Sequence, residues 1–186
     1  MIKASDMRKG TVLRLDGNLY RVMSTQYNKP GRGTASVRAQ LMDISTSTTF
    51  YRVFSADETL ENIYVETRKV KYLYNDGENL HFMDQDSFEQ YECTAAFFDE
   101  DLLFLKEDLE LQLMVMDNGV VLDYSLPTTV TYEVVEAEAA AAGNTASAVT
   151  KFVKTDTGLS VQVPAFVEVG QLIVVDTRDK SYVGRG

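Results

Sequence analysis

This chain of 186 residues offers few histidine or cysteine side chains that could activate a nucleophile or bind a transition metal. There is one histidine, His81, and one cysteine, Cys93. A Ser-His-Asp triad or a Cys-His dyad would have to use His81. This histidine stands in an alternating aromatic run and is better explained as a structural histidine. A zinc site needs about four Cys or His ligands. The run Asp99-Glu100-Asp101 lacks the glycine and the spaced acids of a calcium loop, and a helix start explains it better. We therefore expect neither an enzyme nor a metal site, and no cofactor.

One short loop has a composition suited to binding. Lys29-Pro30-Gly31-Arg32-Gly33 places a single arginine between two glycines. Pro-Gly predicts a type II turn in which Gly31 supplies a positive φ. Because an arginine stays protonated at neutral pH, Arg32 can supply charge, hydrogen bonds or stacking to phosphate or RNA bases, but not a general base. A solvated turn without a function is the alternative. The basic neighbours Lys29 and Arg38 in an acidic chain favour binding.

The elements that must position this loop are strands. A hydrophobic period of two runs through nearly the whole chain, and turn signals such as Asp16-Gly17-Asn18 separate the runs. The runs on either side of the loop predict a long hairpin with Arg32 at its apex. Phe97 to Leu105 has leucines at helical spacing and predicts a short helix. The predicted strands cover residues 11–15, 19–23, 35–44, 48–54, 70–74, 80–84, 91–93, 111–116, 120–124, 130–136, 159–163, 171–176 and 181–183.

Charge is unevenly distributed along the chain, whose net charge is −10. Residues 1–63 hold nine basic and six acidic side chains, residues 64–127 four and fifteen, and residues 128–186 five and seven. A basic first segment on an acidic body predicts a polyanionic partner for that segment. We predict three small β-domains with these boundaries. The absence of an apolar run of about 18 residues and the single cysteine lead us to expect a cytoplasmic protein outside any membrane.

Three segments, in this order, resemble the signatures of bacterial translation elongation factor P. They are YNKPGRGTASVRAQLMDI at 27–44, YLYNDGENLHFMDQDSFEQYE at 72–92 and TGLSVQVPAFVEVGQLIVVDTRDKSYVGR at 157–185. The resemblance extends over essentially the whole chain. It implies an all-β fold of three tandem small β-barrels, in which an SH3-like KOW domain precedes two OB-like domains and the three form an L-shaped mimic of tRNA.

The resemblance also implies a function. A member of this family binds the 70S ribosome beside the initiator or peptidyl-tRNA, contacts rRNA and stimulates peptide-bond formation at consecutive prolines. The first-domain hairpin would direct its tip toward the CCA end of the tRNA. We expect such a factor to act as a monomer. The composition of the loop and its basic flanks lead us to predict Lys29, Pro30, Gly31, Arg32, Gly33 and Arg38 as the residues of this contact.

The tip departs from the usual family pattern. Many members carry a modifiable lysine where this chain has Arg32. Another branch carries an arginine that a dedicated glycosyltransferase rhamnosylates, but its loop usually lacks Pro-Gly-x-Gly. Three alternatives therefore stay open: a rhamnosylated Arg32, an unmodified Arg32, or an elongation factor P-like paralogue.

The third segment departs as well. Gly143-Asn144-Thr145 stands where the family usually has the Gly-Asp-Thr loop that meets the exit-site codon. Four alanines at 139–142 replace the usual Pro-Gly and lysine, which removes one cation from that RNA contact. Tyr182 and Arg185 match the C-terminal end of the family and could face tRNA. A core tyrosine and a solvated arginine explain these two equally well.

A different RNA-binding module of OB and SH3 type is the alternative function. OB barrels bind oligonucleotides through aromatic platforms. The aromatic side chains at Tyr72, Tyr74, Phe82 and Tyr91 could form one, although their alternation is more typical of core packing.

Overall fold

The computed structural model describes residues 1–138 and 149–186, and these form sixteen strands in three sheets. Three short 3-10 helices accompany them, at Ala4–Asp6, Ala95–Phe97 and Asp99–Phe104. No helix in the described part is long and apolar enough to cross a membrane. The fold is therefore all-β, as the sequence predicts.

The first sheet has six strands in the order β1-β6-β2-β3-β4-β5, and all its pairs are antiparallel. Alternation along β4 buries Val37, Ala39 and Leu41 in its core, together with Phe54 of β5. The strands are β1 (Ile2–Lys3), β2 (Val12–Leu15), β3 (Asn18–Asn28), β4 (Ser36–Asp43), β5 (Thr49–Ser55) and β6 (Thr59–Ile63).

The second sheet has five strands in the order β11-β10-β7-β8-β9. Its core is aromatic: Phe98 stacks on Tyr124 with ring centroids 3.9 Å apart, and on Phe82 at 5.7 Å. Such burial of aromatic area is a large stabilising term. The strands are β7 (Val65–Asn75), β8 (Asn79–Asp84), β9 (Gln90–Thr94), β10 (Glu110–Met116) and β11 (Val121–Ser125).

The third sheet also has five strands, in the antiparallel order β14-β13-β12-β15-β16. Tyr132 on β12 is fully buried, and its hydroxyl donates a hydrogen bond of 2.7 Å to the carbonyl oxygen of Phe104. The strands are β12 (Thr129–Ala137), β13 (Thr150–Thr155), β14 (Ser160–Pro164), β15 (Leu172–Asp176) and β16 (Ser181–Arg185).

Contacts divide the chain into two compact units, and neither unit is one continuous stretch. The first comprises Met1–Thr67 with Met114–Asp123, and the second comprises Arg68–Leu113 with Tyr124–Gly186. Within the first unit, Nη2 of Arg21 on β3 lies 2.6 Å from Oδ2 of Asp123. Because this arginine is only 18% exposed, the ion pair is better shielded than an ordinary surface pair.

The strands and helices differ from the sequence-based expectation in two respects. The short strands β1, β6 and β13 were not predicted, because a two-residue strand has no period and charged or polar residues break the pattern of the others. The short helix predicted from Phe97 to Leu105 is present as a 3-10 helix at Asp99–Phe104, and a separate 3-10 helix ends at Phe97. Asp99 has φ +47°, so the backbone cannot continue as one α-helix there.

Candidate nucleic-acid interface

The predicted hairpin is formed by β3 and β4, which pair from Tyr20 with Asp43 out to Asn28 with Ser36. A bulge between Val22 and Ser24 marks where β3 leaves the core, and the residues beyond it, 24–28, are all exposed. Five extended residues span about 17 Å. The hairpin stem thus carries its loop well away from the buried part of the sheet.

The loop at the end of this stem, residues 29–35, contains the predicted motif. We call it the tip loop. Lys29, Pro30, Gly31, Arg32 and Gly33 are all exposed in it. An exposed guanidinium on a narrow loop is free to reach a phosphate or a base.

The backbone of the tip loop corrects the predicted turn. Gly33 has φ +110°, whereas Gly31 lies outside the left-handed region. A type II turn at Pro30-Gly31 needs a positive φ at its glycine, so that prediction is wrong. Gly33, which follows Arg32, is therefore the position at which the backbone conformation requires a glycine.

The hairpin is strongly electropositive. No acidic residue occurs from position 17 to 42. Within residues 1–138 and 149–186, no carboxylate lies within ion-pair distance of Lys29, Arg32 or Arg38. In contrast, Arg14 pairs with Glu61 at 3.0 Å and Arg52 with Asp16 at 3.4 Å. The uncompensated cations of the hairpin are therefore available to an external anion.

Arg38 does not share the tip loop with the other predicted residues. It lies on the stem, in register with Gln26 of β3 and Val53 of β5. Its guanidinium carbon stands 4.2 Å from the ring centroid of Tyr51. Tyr51 and Val53 were missed at the sequence level. The sequence signal for these two residues is a run of apolar side chains at consecutive positions of β5. Such a run does not reveal which side chains face solvent and which face the core.

The predicted residues of the third segment are partly described. Gly143, Asn144 and Thr145 lie outside the described residues. Tyr182 is half-buried opposite Val175, so it is partly a packing residue. Arg185 is exposed, with its guanidinium carbon 4.8 Å from the centroid of the Phe166 ring. These positions leave an RNA contact by Tyr182 and Arg185 as a prediction.

The histidine takes part in a local structural contact. Nε2 of His81 lies 2.8 Å from Oδ2 of Asp76, and the ring stacks on Tyr74 with centroids 4.5 Å apart. Oδ1 of Asp76 also accepts hydrogen bonds from the backbone N–H groups of Glu78 and Asn79. These hydrogen bonds lower the pKa of Asp76. The contacts match the structural role expected for His81.

The thiol and the acidic run are also engaged in structure. Burial raises the pKa of the Cys93 thiol to about 11, which suppresses the nucleophilic thiolate. Of the acidic run, Asp101 accepts a hydrogen bond from the Tyr124 hydroxyl and Glu100 one from Lys180. In the described part of the chain, no three His, Cys, Asp or Glu residues are grouped to hold a metal.

Core packing accounts for part of the suggested aromatic platform. Phe82 and Tyr91 are buried, and Tyr72 is half-buried with its ring 5.7 Å from that of Phe82. Of the four residues, only Tyr74 is largely exposed, and its ring stacks on the ring of His81. The alternation of these residues reflects the core of the second sheet.

Comparison with known proteins gives the same family along the whole chain. Residues 3–60 match the elongation factor P (EF-P) KOW-like domain, residues 65–124 the elongation factor P (EF-P) OB domain and residues 130–185 elongation factor P, C-terminal. The chain is 40% identical over 185 residues to elongation factor P of Synechococcus sp. (strain JA-2-3B'a(2-13)), with full coverage of both chains. It is 38% identical to elongation factor P of Synechococcus elongatus, again with full coverage.

A solved structure supports the fold. Eukaryotic translation initiation factor 5A from Methanococcus jannaschii matches with a TM-score of 0.50 and 19% identity, over 68% of this chain and 90% of that chain. The KOW-like and OB domains predicted from the sequence are thereby confirmed. Since family models cover all three segments and relatives match at full length, the chain belongs to the elongation factor P family of translation elongation factors.

Proposed function

We propose that this factor binds the ribosome beside the peptidyl-tRNA and stimulates peptide-bond formation at consecutive prolines, with Arg32 directed toward the CCA end of the tRNA. The observation that carries the proposal is the exposed Arg32, which has no ion-pair partner among the described residues and stands at the end of a hairpin without acidic residues from position 17 to 42. The partners are the 70S ribosome, its rRNA and the peptidyl-site initiator or peptidyl-tRNA. The factor works as a monomer in the cytoplasm, through domains at 1–63, 64–127 and 128–186.

The mechanism needs positioning rather than a catalytic base. Proline is a constrained participant in peptide transfer, so holding the reactants in a productive geometry recovers a large entropic cost. A guanidinium at the tip can bind phosphate oxygens bidentately and stack on a base, which fixes both position and orientation. Lys29 and the turn formed by Pro30, Gly31 and Gly33 would present it.

The remaining contacts belong to the same proposal. Gly143-Asn144-Thr145 would meet the exit-site codon, and Tyr182 and Arg185 would face tRNA. Arg32 is also the position at which a glycosyltransferase would attach rhamnose. We favour elongation factor P itself over an elongation factor P-like paralogue, because the relatives that match over the full length are named elongation factor P.

Reconstituted translation of a reporter with three consecutive prolines tests the proposal. Wild-type protein should rescue synthesis, and Arg32→Ala should abolish rescue while folding stays intact, because the residue is exposed. Lys154→Ala removes the same charge from an exposed position on β13 and should rescue as wild type does.

Two results would overturn the proposal. One is rescue by Arg32→Ala at the wild-type level. The other is failure of wild-type protein purified from its own host, which carries any modification that Arg32 receives. An intact-mass measurement on that protein decides whether Arg32 is modified.

A further inference from the structure

The outward face of the β3-β4-β5 sheet carries a second set of binding side chains beside the tip loop. The strand register places Gln26, Arg38 and Val53 in one row across the three strands, and Ser24, Gln40 and Tyr51 in the next. We call these six residues the outer face. Their neighbours Val37, Ala39 and Phe54 point into the core, so the outer face is the other side of the sheet.

The outer face exposes apolar area that the fold does not use. Tyr51 is 57% exposed and Val53 is 62% exposed. Both lie on β5, which is the edge strand and pairs only with β4. These two side chains form one exposed apolar patch, and the Arg38 guanidinium lies directly beside it, 4.2 Å from the Tyr51 ring centroid.

The polar groups of the outer face carry positive or no charge. Arg38 lies over the Tyr51 ring and has no acidic partner in the described residues. Gln26 and Gln40 add neutral amides, which can donate and accept hydrogen bonds. Toward the base of the sheet, Asp123 is held by Arg21 at 2.6 Å. Among the described residues, no carboxylate lies within ion-pair distance of Arg38.

We propose that the outer face binds unpaired RNA nucleotides. A base stacks with the Arg38–Tyr51 pair, its sugar packs on Val53, and a phosphate oxygen accepts hydrogen bonds from the guanidinium of Arg38. The amides of Gln26 and Gln40 contact the base edge. Aromatic and guanidinium planes that lie beside neutral amides are the groups that bind single-stranded RNA.

Charge favours this occupant over a second copy of the chain. Packing of two outer faces against each other would bring the uncompensated Arg38 side chains of both copies into one interface, and the juxtaposition of like charges there is unfavourable. A stable dimer also buries about 800 Å² per partner, more than two apolar side chains supply. The inference rests on the proposed function in that Arg38 already belongs to the predicted RNA contact; it adds Tyr51 and Val53 and does not involve Arg32.

Fluorescence anisotropy of the full-length protein with a labelled single-stranded RNA octamer tests the proposal. Tyr51→Ala should weaken binding about five- to a hundredfold, the range for loss of one stacked base. Tyr51→Phe keeps the ring and should stay within about twofold of wild type. Arg38→Gln should weaken binding and reduce the slope of log affinity against log salt by about one.

Tyr27→Ala is the matched control. Tyr27 is 55% exposed and lies in register with Val37 and Phe54, on the opposite face of the same sheet. Its loss should leave RNA affinity unchanged. Circular dichroism of every variant confirms that the sheet is formed.

Three results would overturn the proposal: no RNA binding by wild-type protein, equal losses in Tyr27→Ala and Tyr51→Ala, or a concentration-dependent dimer in sedimentation that Tyr51→Ala dissociates. The last would make a second copy the occupant. Failure here leaves the proline reporter unaffected as a test of Arg32, so the two proposals fail separately.

Discussion

Replacing Gly33 with alanine should reduce activity through the backbone alone. An alanine Cβ at this position would meet only Cγ of Pro30, at 3.9 Å, which is an ordinary van der Waals contact. The φ of +110° is the obstacle, because a residue with a Cβ in such a sparsely populated region costs about 1–3 kcal/mol. Since the tip loop is exposed, the loop should relax to another conformation instead of unfolding the sheet.

The expected loss of activity in Gly33→Ala follows from that backbone strain. A factor of ten corresponds to about 1.4 kcal/mol, so the tip conformation seen here falls about five- to a hundredfold in population. The apparent affinity of a protein for its target falls with the fraction that is competent to bind. The concentration of factor needed for half-maximal rescue of the three-proline reporter should therefore rise about five- to a hundredfold. The midpoint of urea unfolding should barely move.

Gly31→Ala is the matched control on the other side of Arg32. No heavy atom lies within 4 Å of a Cβ built there, and the residue lies outside the left-handed region. Alanine fits this conformation, so rescue should fall far less than in Gly33→Ala, and stability should be equal or about 0.4–1 kcal/mol higher. Equal activity of both variants would refute the argument from φ. Equal loss in both would show that side-chain bulk, not backbone conformation, limits the tip.

Two further predictions concern the second unit. Tyr132→Phe removes the hydroxyl that donates a hydrogen bond to the Phe104 carbonyl oxygen. In urea titrations it should lower the free energy of unfolding by about 1–3 kcal/mol. The control Tyr74→Phe, at an exposed position, should change the free energy of unfolding by less than about 0.5 kcal/mol. Equal effects would contradict the role of this hydrogen bond. The pKa of Cys93 is raised from 9.0 to about 11, so at pH 8 its thiolate fraction is roughly a hundredfold below that of an unperturbed thiol. Alkylation by iodoacetamide should be correspondingly slow, rise about tenfold per pH unit below pH 11 and become fast in denaturant; native protein that reacts at the unfolded rate would contradict it.

The hairpin could be predicted from the sequence because apolar and polar residues alternate along its stem. Val37, Ala39 and Leu41 alternate with polar residues, and that period fixes both the strand and its buried face. The exposure of Arg32 follows from the glycines and proline around it. Strand β13 is harder to predict from the sequence, because it contains Lys151 and Lys154 and only two of its six residues are buried.

Other features of the site depend on geometry that the sequence does not contain. Either Gly31 or Gly33 could have taken the positive φ, and the path of the seven-residue loop decides between them. Tyr51 could have been a core residue, because Phe50 and Val53 beside it are apolar too. Only the pairing of β5 with β4 shows that Tyr51 shares a face with Arg38.

The ion pair between Arg21 and Asp123 has a consequence for synthesis of the chain. These partners are separated by 102 residues, and the first unit includes Met114–Asp123. At a translation rate of about 5–20 residues per second, Arg21 leaves the peptidyl-transferase centre about 5–20 s before Asp123. During that interval the six-stranded sheet can form while Arg21 still lacks its carboxylate. A nascent chain arrested before residue 123 should therefore hold this part of β3 more loosely than the finished protein does.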